Sequence, residues 1–341
     1  MVSACTTTQP PSHSSSITKV EIREKTQELV LKNKTRKLEQ LENLSNLSWP
    51  IVSRNLEICG NHRMYSVGLR TISEFDFPKG SEALYKRSFL FDGKPVVQFA
   101  VEGSPSHDIG IKKGDQIVAV GNLEYQPNST KATQFGRRAK SELRKLTRQG
   151  KPFPIKFSRV GKIEERELIP VEVCKFALEI NDSSTINAFT DGYRISFNQG
   201  LLNLSDDDRF LQAVFAHELA HGIHKHPIKI MPRAAVGLVL DLGLLAQRIY
   251  SGGFFASVCG GIFNKEFERE ADYVAYYLLA NAGIEISDAV NGWEDIAVRF
   301  RGGDKKSRTH PSYAERLVIQ EKIVQEIQAK MEAGEPLIPN R

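Results

Sequence analysis

The sequence predicts an α+β protein: a mainly helical domain with a small edge sheet, plus an inserted β-rich domain. Two observations predict it. Long helix-forming segments occupy 18–48, 206–224 and 264–282, at both ends of the 341-residue chain. Between them, from about 63 to 170, apolar residues alternate and Gly-containing turns recur, which is the pattern of strands. A chain of this length accommodates two domains. Charged residues make up 26% and hydrophobic ones 40%, an ordinary globular composition. The net charge of +5 is mild and no nucleic-acid motif occurs, so no nucleic-acid partner is expected.

Taken in order, residues 1–17 are rich in Thr, Ser, Pro and Gln and read as a disordered tether. Residues 18–62 read as helices that pack on the main domain. Leu38, Leu41, Leu44 and Leu47 recur every three residues as an apolar stripe, Pro50 marks a break, and a short helix leads to Cys59 and Gly60. In the β-rich stretch 63–170, Val96, Val97, Phe99 and Val101 alternate ahead of Gly103-Ser104-Pro105. A helix over Lys131–Arg148 carries basic residues on a solvated face, and Phe153–Arg159 forms a further strand. Residues 171–341 form the last domain. Ser205 is its candidate helix cap, with Asp208 at the capping-box position. The most apolar region, 234–263, is interrupted by Asp241, Arg248 and four glycines. It is too broken for a membrane span, which needs about 20 apolar residues in a row. It reads as a buried helix and a Gly-rich loop.

The chemistry concentrates in Phe215-Ala216-His217-Glu218-Leu219-Ala220-His221. Four residues are just over one helical turn, so His217 and His221 share a face. Two imidazoles so placed can hold one Zn2+, with Glu218 beside them to activate water. Hydrolysis at zinc needs a third protein ligand. The metzincin spacing would put Gly at 224 and His at 227, where this chain has His224 and Pro227, so the ligand comes from further away. On the helix 264–282, Glu268 and Asp272 are four apart and share a face. That allows one carboxylate on the metal and a second behind it, orienting a ligand histidine. Glu266 and Glu270 share a different face and read as solvated; His224 and His226 read as surface or supporting residues.

HExxH followed by Glu-x-x-x-Asp on a later helix is similar to the gluzincin pattern. Phe267-Glu268-Arg269-Glu270-Ala271-Asp272 resembles the HtpX and CAAX-prenyl-protease family of zinc metallopeptidases. Ile186–Gly192, Gly200-Leu201-Leu202 and Thr309-His310-Pro311-Ser312 through Arg316 extend the likeness over about 170–320. The resemblance implies a zincin-type fold and zinc held by His217, His221 and Glu268, one ion per chain. It further implies Glu218 as general base, Asp272 behind a ligand histidine, and Asn187, Ala188 and Phe189 as the strand along which substrate lies. His310 and Arg316 are candidates for stabilising the oxyanion, with His310 a second candidate as a latch on the metal.

Gly103 to Asn122, with its Gly114-Asp115-Gln116-Ile117 turn, resembles the centre of a PDZ domain. The resemblance implies binding of protein C-termini near Ser66-Val67-Gly68-Leu69 by strand addition. Val2-Ser3-Ala4-Cys5 resembles the end of a bacterial lipoprotein signal, implying lipidation at Cys5, membrane contact through that anchor, and a periplasmic, outer-membrane location. Such a compartment permits a disulfide, and Cys59 and Cys174 bracket the inserted module; Cys259 reads as a buried free thiol. The expected function is endoproteolysis of unfolded or misassembled envelope proteins. The alternative is an assembly factor or chaperone that keeps the peptidase fold and binds C-termini.

Overall fold

The computed structural model describes residues 17–77, 82–89, 91–129, 132–227, 229, 264–299 and 312–340. Cys5, Cys259, His310 and the apolar region 234–263 lie outside the described residues. Among those described, no helix is long and apolar enough to cross a membrane.

Helix α1 runs over Lys19–Ser53 and opens with a capping box, in which Thr18 and Glu21 satisfy one another's backbone amides. Its first half is exposed, while Leu38, Leu41, Leu44, Trp49, Ile51 and Val52 are buried. Pro50 does not end the helix as expected, and lies inside it. A proline removes one amide, and here that loss falls in the last turn, where the flanking apolar residues are locked into the core. Trp49 Nε1 also donates to the Gly103 carbonyl at 3.0 Å. Helix α2 (Leu56–Cys59) follows.

Strand β1 (Arg63–Ser66) pairs antiparallel with β8 (Val171–Cys174), with Arg63 opposite Cys174. Between them lie β2 (Leu69–Ile72), α3 (Glu82–Phe89), β3 (Val96–Ala100), α4 (Pro105–Asp108), β4 (Gln116–Val120), β5 (Leu123–Glu124), α5 (Phe135–Arg148), β6 (Phe153–Arg159) and β7 (Lys162–Leu168). The sheet order is β2-β3-β4-β6-β7, with β5 on β4. It closes over its own core, which includes Val97, Ile117, Phe135, Ile155, Phe157 and Leu168. Gly68 turns the chain into β2 at φ 65°, where a Cβ would sit 2.2 Å from that of Ser104, so only glycine fits. Cys59 and Cys174 form a disulfide that bridges α2 to β8.

The remainder is the helical layer that carries the site. A three-stranded sheet of order β10-β11-β9 precedes it, with β9 at Ala177–Asn181, β10 at Ala188–Thr190 and β11 at Arg194–Asn198. Then come α6 (Gln199–Leu204), α7 (Asp208–Ile223), α8 (Asn264–Ala282), α9 (Ile286–Arg299) and α10 (Tyr313–Ala333). Helix α7 is buried almost throughout, at the centre of the main core. Its cap is Asp207, which accepts from the Arg209 amide, and not Ser205. Ser205 instead accepts from the Asp207 amide at 3.2 Å, one step ahead of the helix.

Candidate metal centre

The apolar composition of α7 sinks the whole HExxH turn, leaving His217, Glu218 and His221 at most 9% exposed. Helix α8 lies against it, and Ala271 and Ala275, both buried, let the two backbones come close. Glu268 and Asp272 project from α8 on the side facing α7, at 3% and 4% exposure.

His217 Nε2 and His221 Nε2 are 3.0 Å apart. Glu268 reaches them with Oε2 at 3.2 Å from His217 and Oε1 at 3.4 Å from His221. Behind His217, Nδ1 is 2.8 Å from Asp272 Oδ1. Asp272 is held in turn by Arg316, through Nε to Oδ2 at 2.9 Å and Nη2 to Oδ1 at 2.5 Å. The guanidinium carbon sits 4.3 Å from the centre of the Trp293 ring, which fixes the plane of the fork.

The electrostatics favour positive charge at the centre. Burial resists charging His217, yet Asp272 and Glu268 outweigh it and push its pKa up to about 10. Burial alone would raise Asp272, but Arg316 and His217 hold it down to about 2. Asp272 is therefore ionised throughout the physiological range and accepts from His217 Nδ1–H. With no ion bound, His217 is a cation that donates from Nε2 to the Glu268 carboxylate; a bound metal would displace that proton and take the Nε2 lone pair. All three donor atoms lie within 4.8 Å of one another in a buried space. Two imidazole nitrogens and a carboxylate converging in this way fit a divalent metal ion, which would replace the proton on His217 Nε2.

The structure thus brings together His217, His221, Glu268, Glu218 and Asp272. It places Arg316 on the Nδ1 side of His217, paired with Asp272 rather than beside the Nε2 ligand atoms as an oxyanion donor would be. Arg316→Lys keeps the charge but loses the planar fork. It is expected to destabilise the protein by about 1.5–3 kcal/mol, the range for a hydrogen bond to a charged group, measured by urea unfolding. Asn187, Ala188 and Phe189 lie at β10, whose outer edge has no partner strand among the described residues. Phe189 is 46% exposed. In the loop Ser66–Leu69, the carbonyls of Val67 and Gly68 accept from the Ser106 and Val101 amides, and the Gly68 amide donates to Ser66 Oγ.

His226, read as a surface or supporting residue, and Glu270, read as solvated, are both engaged here. His226 is fully buried, with Nδ1 2.8 Å from His221 Nδ1 and Nε2 2.9 Å from Glu270 Oε2. Glu270 is not simply solvated as expected: it meets His224 Nδ1 at 2.8 Å as well. Burial and His221 push His226 down to about 4 against the pull of Glu270. The sequence did hold a signal, a histidine five residues after HExxH and a carboxylate two residues after Glu268, but only the packing of α8 joins them.

Residues 169–323 match the family model described as Peptidase family M48. The mitochondrial metalloendopeptidase OMA1 of Schizosaccharomyces pombe is 29% identical over 174 residues, 47% of this chain and 50% of the relative. That of Saccharomyces cerevisiae is 25% identical over 154 residues, 40% of this chain and 44% of the relative. The chain spans about half the length of the curated relatives it matches. Their mitochondrial names overturn the expected bacterial periplasm and outer-membrane anchor. The Val2–Cys5 likeness to a lipoprotein signal is four residues long, too short to stand against matches of this extent.

Proposed function

We infer, from a chain whose residues 169–323 match the model of peptidase family M48, that the protein is a zinc-dependent endopeptidase acting on unfolded polypeptide. The observation that carries this reading is the buried triad of His217, His221 and Glu268 with Glu218 next to His217 on the same helix. These three ligands would hold the ion, which when bound acidifies water and polarises a carbonyl.

The chain's own residues do the rest. Glu218 takes a proton from the attacking water and delivers it to the leaving amine. Asp272 fixes the tautomer of His217, and Arg316 fixes Asp272. The outer edge of β10 receives an extended substrate by strand addition, with Asn187, Ala188 and Phe189 beside it. An edge of this kind needs a chain without competing structure of its own, hence the preference for unfolded polypeptide. The stretch 63–170 is read as a PDZ-like module whose sheet has β2 at one edge and β7 at the other. A mitochondrial location is the one the relatives support for this chain, in a compartment that keeps the Cys59–Cys174 disulfide oxidised.

Chelation tests the reading directly. Dialysis against a chelator is expected to abolish cleavage of a reduced, alkylated protein, and one equivalent of Zn2+ per chain is expected to restore it. Full cleavage by protein shown to be metal-free would end the proposal.

A further inference from the structure

His226 stands outside the ligand set yet is the most buried histidine of the site. The chain reaches it through Lys225, a non-glycine residue at φ 55°. Such a left-handed turn costs roughly 1–2 kcal/mol and persists where the surroundings fix it. It folds His226 back beneath α7, stacked on Phe267 at 4.3 Å with the rings 14° apart.

Proton positions then follow from bonding rules. His221 can ligate through Nε2 only if its proton sits on Nδ1. That proton points at His226 Nδ1, 2.8 Å away, which must accept it. A neutral His226 then carries its own proton on Nε2, aimed at Glu270 Oε2 at 2.9 Å. We propose that His226 is a positioning residue for the metal centre, and that Glu270, His226 and His221 form a directed chain that fixes His221 as Asp272 fixes His217. This rests on the metal reading above. It also decides against a second reading of the same residues. His224, His226 and Glu270 lie within 4.8 Å of one another and have the makings of a separate cation site. A cation there would take the lone pair of His226 Nε2 and move its proton to Nδ1. Two N–H groups would then face each other across the His221 contact. The two arrangements exclude one another, so these described residues hold one cation between them.

The two supports differ in kind. Asp272 is shut in by Arg316 at 4% exposure, while the Glu270 side chain is 40% exposed. The His221 arm is therefore the one that solvent can reach.

The test is metal affinity, measured on the full chain by competition with a chromophoric chelator for Zn2+. Wild type is expected to bind one equivalent. His226→Leu is expected to bind about 10–100-fold more weakly, the usual loss for a supporting partner of a ligand histidine. His226→Asn, whose amide oxygen can still accept from His221, is expected to recover much of that affinity. In the Co2+-substituted protein, two shifted exchangeable imidazole N–H resonances are expected for wild type. His226→Leu should lose one of them and keep the other, a selectivity that general loosening would not give. Equal affinity for wild type and His226→Leu would overturn the proposal, as would a second equivalent of Zn2+ that His224→Ala removes. If His226→Leu does not fold, Glu270→Gln carries the test: weakened Zn2+ binding supports the chain and unchanged binding refutes it. A wild type that binds no Zn2+ would instead defeat the metal reading beneath it.

Discussion

Glu218→Gln is expected to slow cleavage of an unfolded substrate by about 10²–10⁴-fold, the usual contribution of a placed general base. The exchange preserves size and shape at a position 9% exposed, so packing should survive. Glu218 follows His217 directly on α7, about 100° further round the helix, so it adjoins the ligand set without belonging to it. Metal content and unfolding midpoint are therefore expected to match wild type while the rate falls. Initial rates, bound Zn2+ and thermal unfolding, taken on the same preparation, separate these quantities. A variant that retains the wild-type rate would remove Glu218 from the reaction.

The second large effect is on stability. Cys59 and Cys174 are 115 residues apart in sequence, and their bond closes the whole β-rich stretch into a loop. In the chain-entropy model, closing a loop of about 100 residues is worth roughly 4.7 kcal/mol. The paired variant Cys59→Ala, Cys174→Ala is expected to lose about that much in urea unfolding. Both cysteines are buried, at 3% and 0% exposure, so each alanine removes only a small volume. Wild type in reductant should approach the same midpoint. Identical midpoints for oxidised and reduced wild type would show that the bond contributes nothing to stability.

What the sequence made legible was what rests on local periodicity. His217 and His221, like Glu268 and Asp272, are paired by one helical turn, and that spacing survives in any fold that keeps the two helices. The run Phe153–Arg159 alternated clearly enough to match β6 residue for residue. Failures came where a distant partner decides. Pro50 read as a break because propensity favours one, whereas Trp49, Ile51 and Val52 carry the helix through it by packing. Glu270 read as solvated because its partners, His224 and His226, belong to another element. Arg316 was legible as important but not in its role, since its geometry depends on Trp293 and Asp272, neither of them near it in sequence.

The way α1 enters the core bears on where this protein begins as a folding unit. Leu41, Leu44, Trp49, Ile51 and Val52 share one apolar cluster with α7 and α8. Arg54 donates to the Ala282 carbonyl at 2.7 Å, and Asn55 to that of Leu278 at 2.8 Å. A fragment cut at residue 169, where the family likeness starts, would leave the Leu278 and Ala282 carbonyls without these donors and the apolar flank of α8 wet. The boundary of kinship and the boundary of cooperativity differ by more than a hundred residues. The family likeness covers the later segment, but packing makes the earlier helix part of the same core.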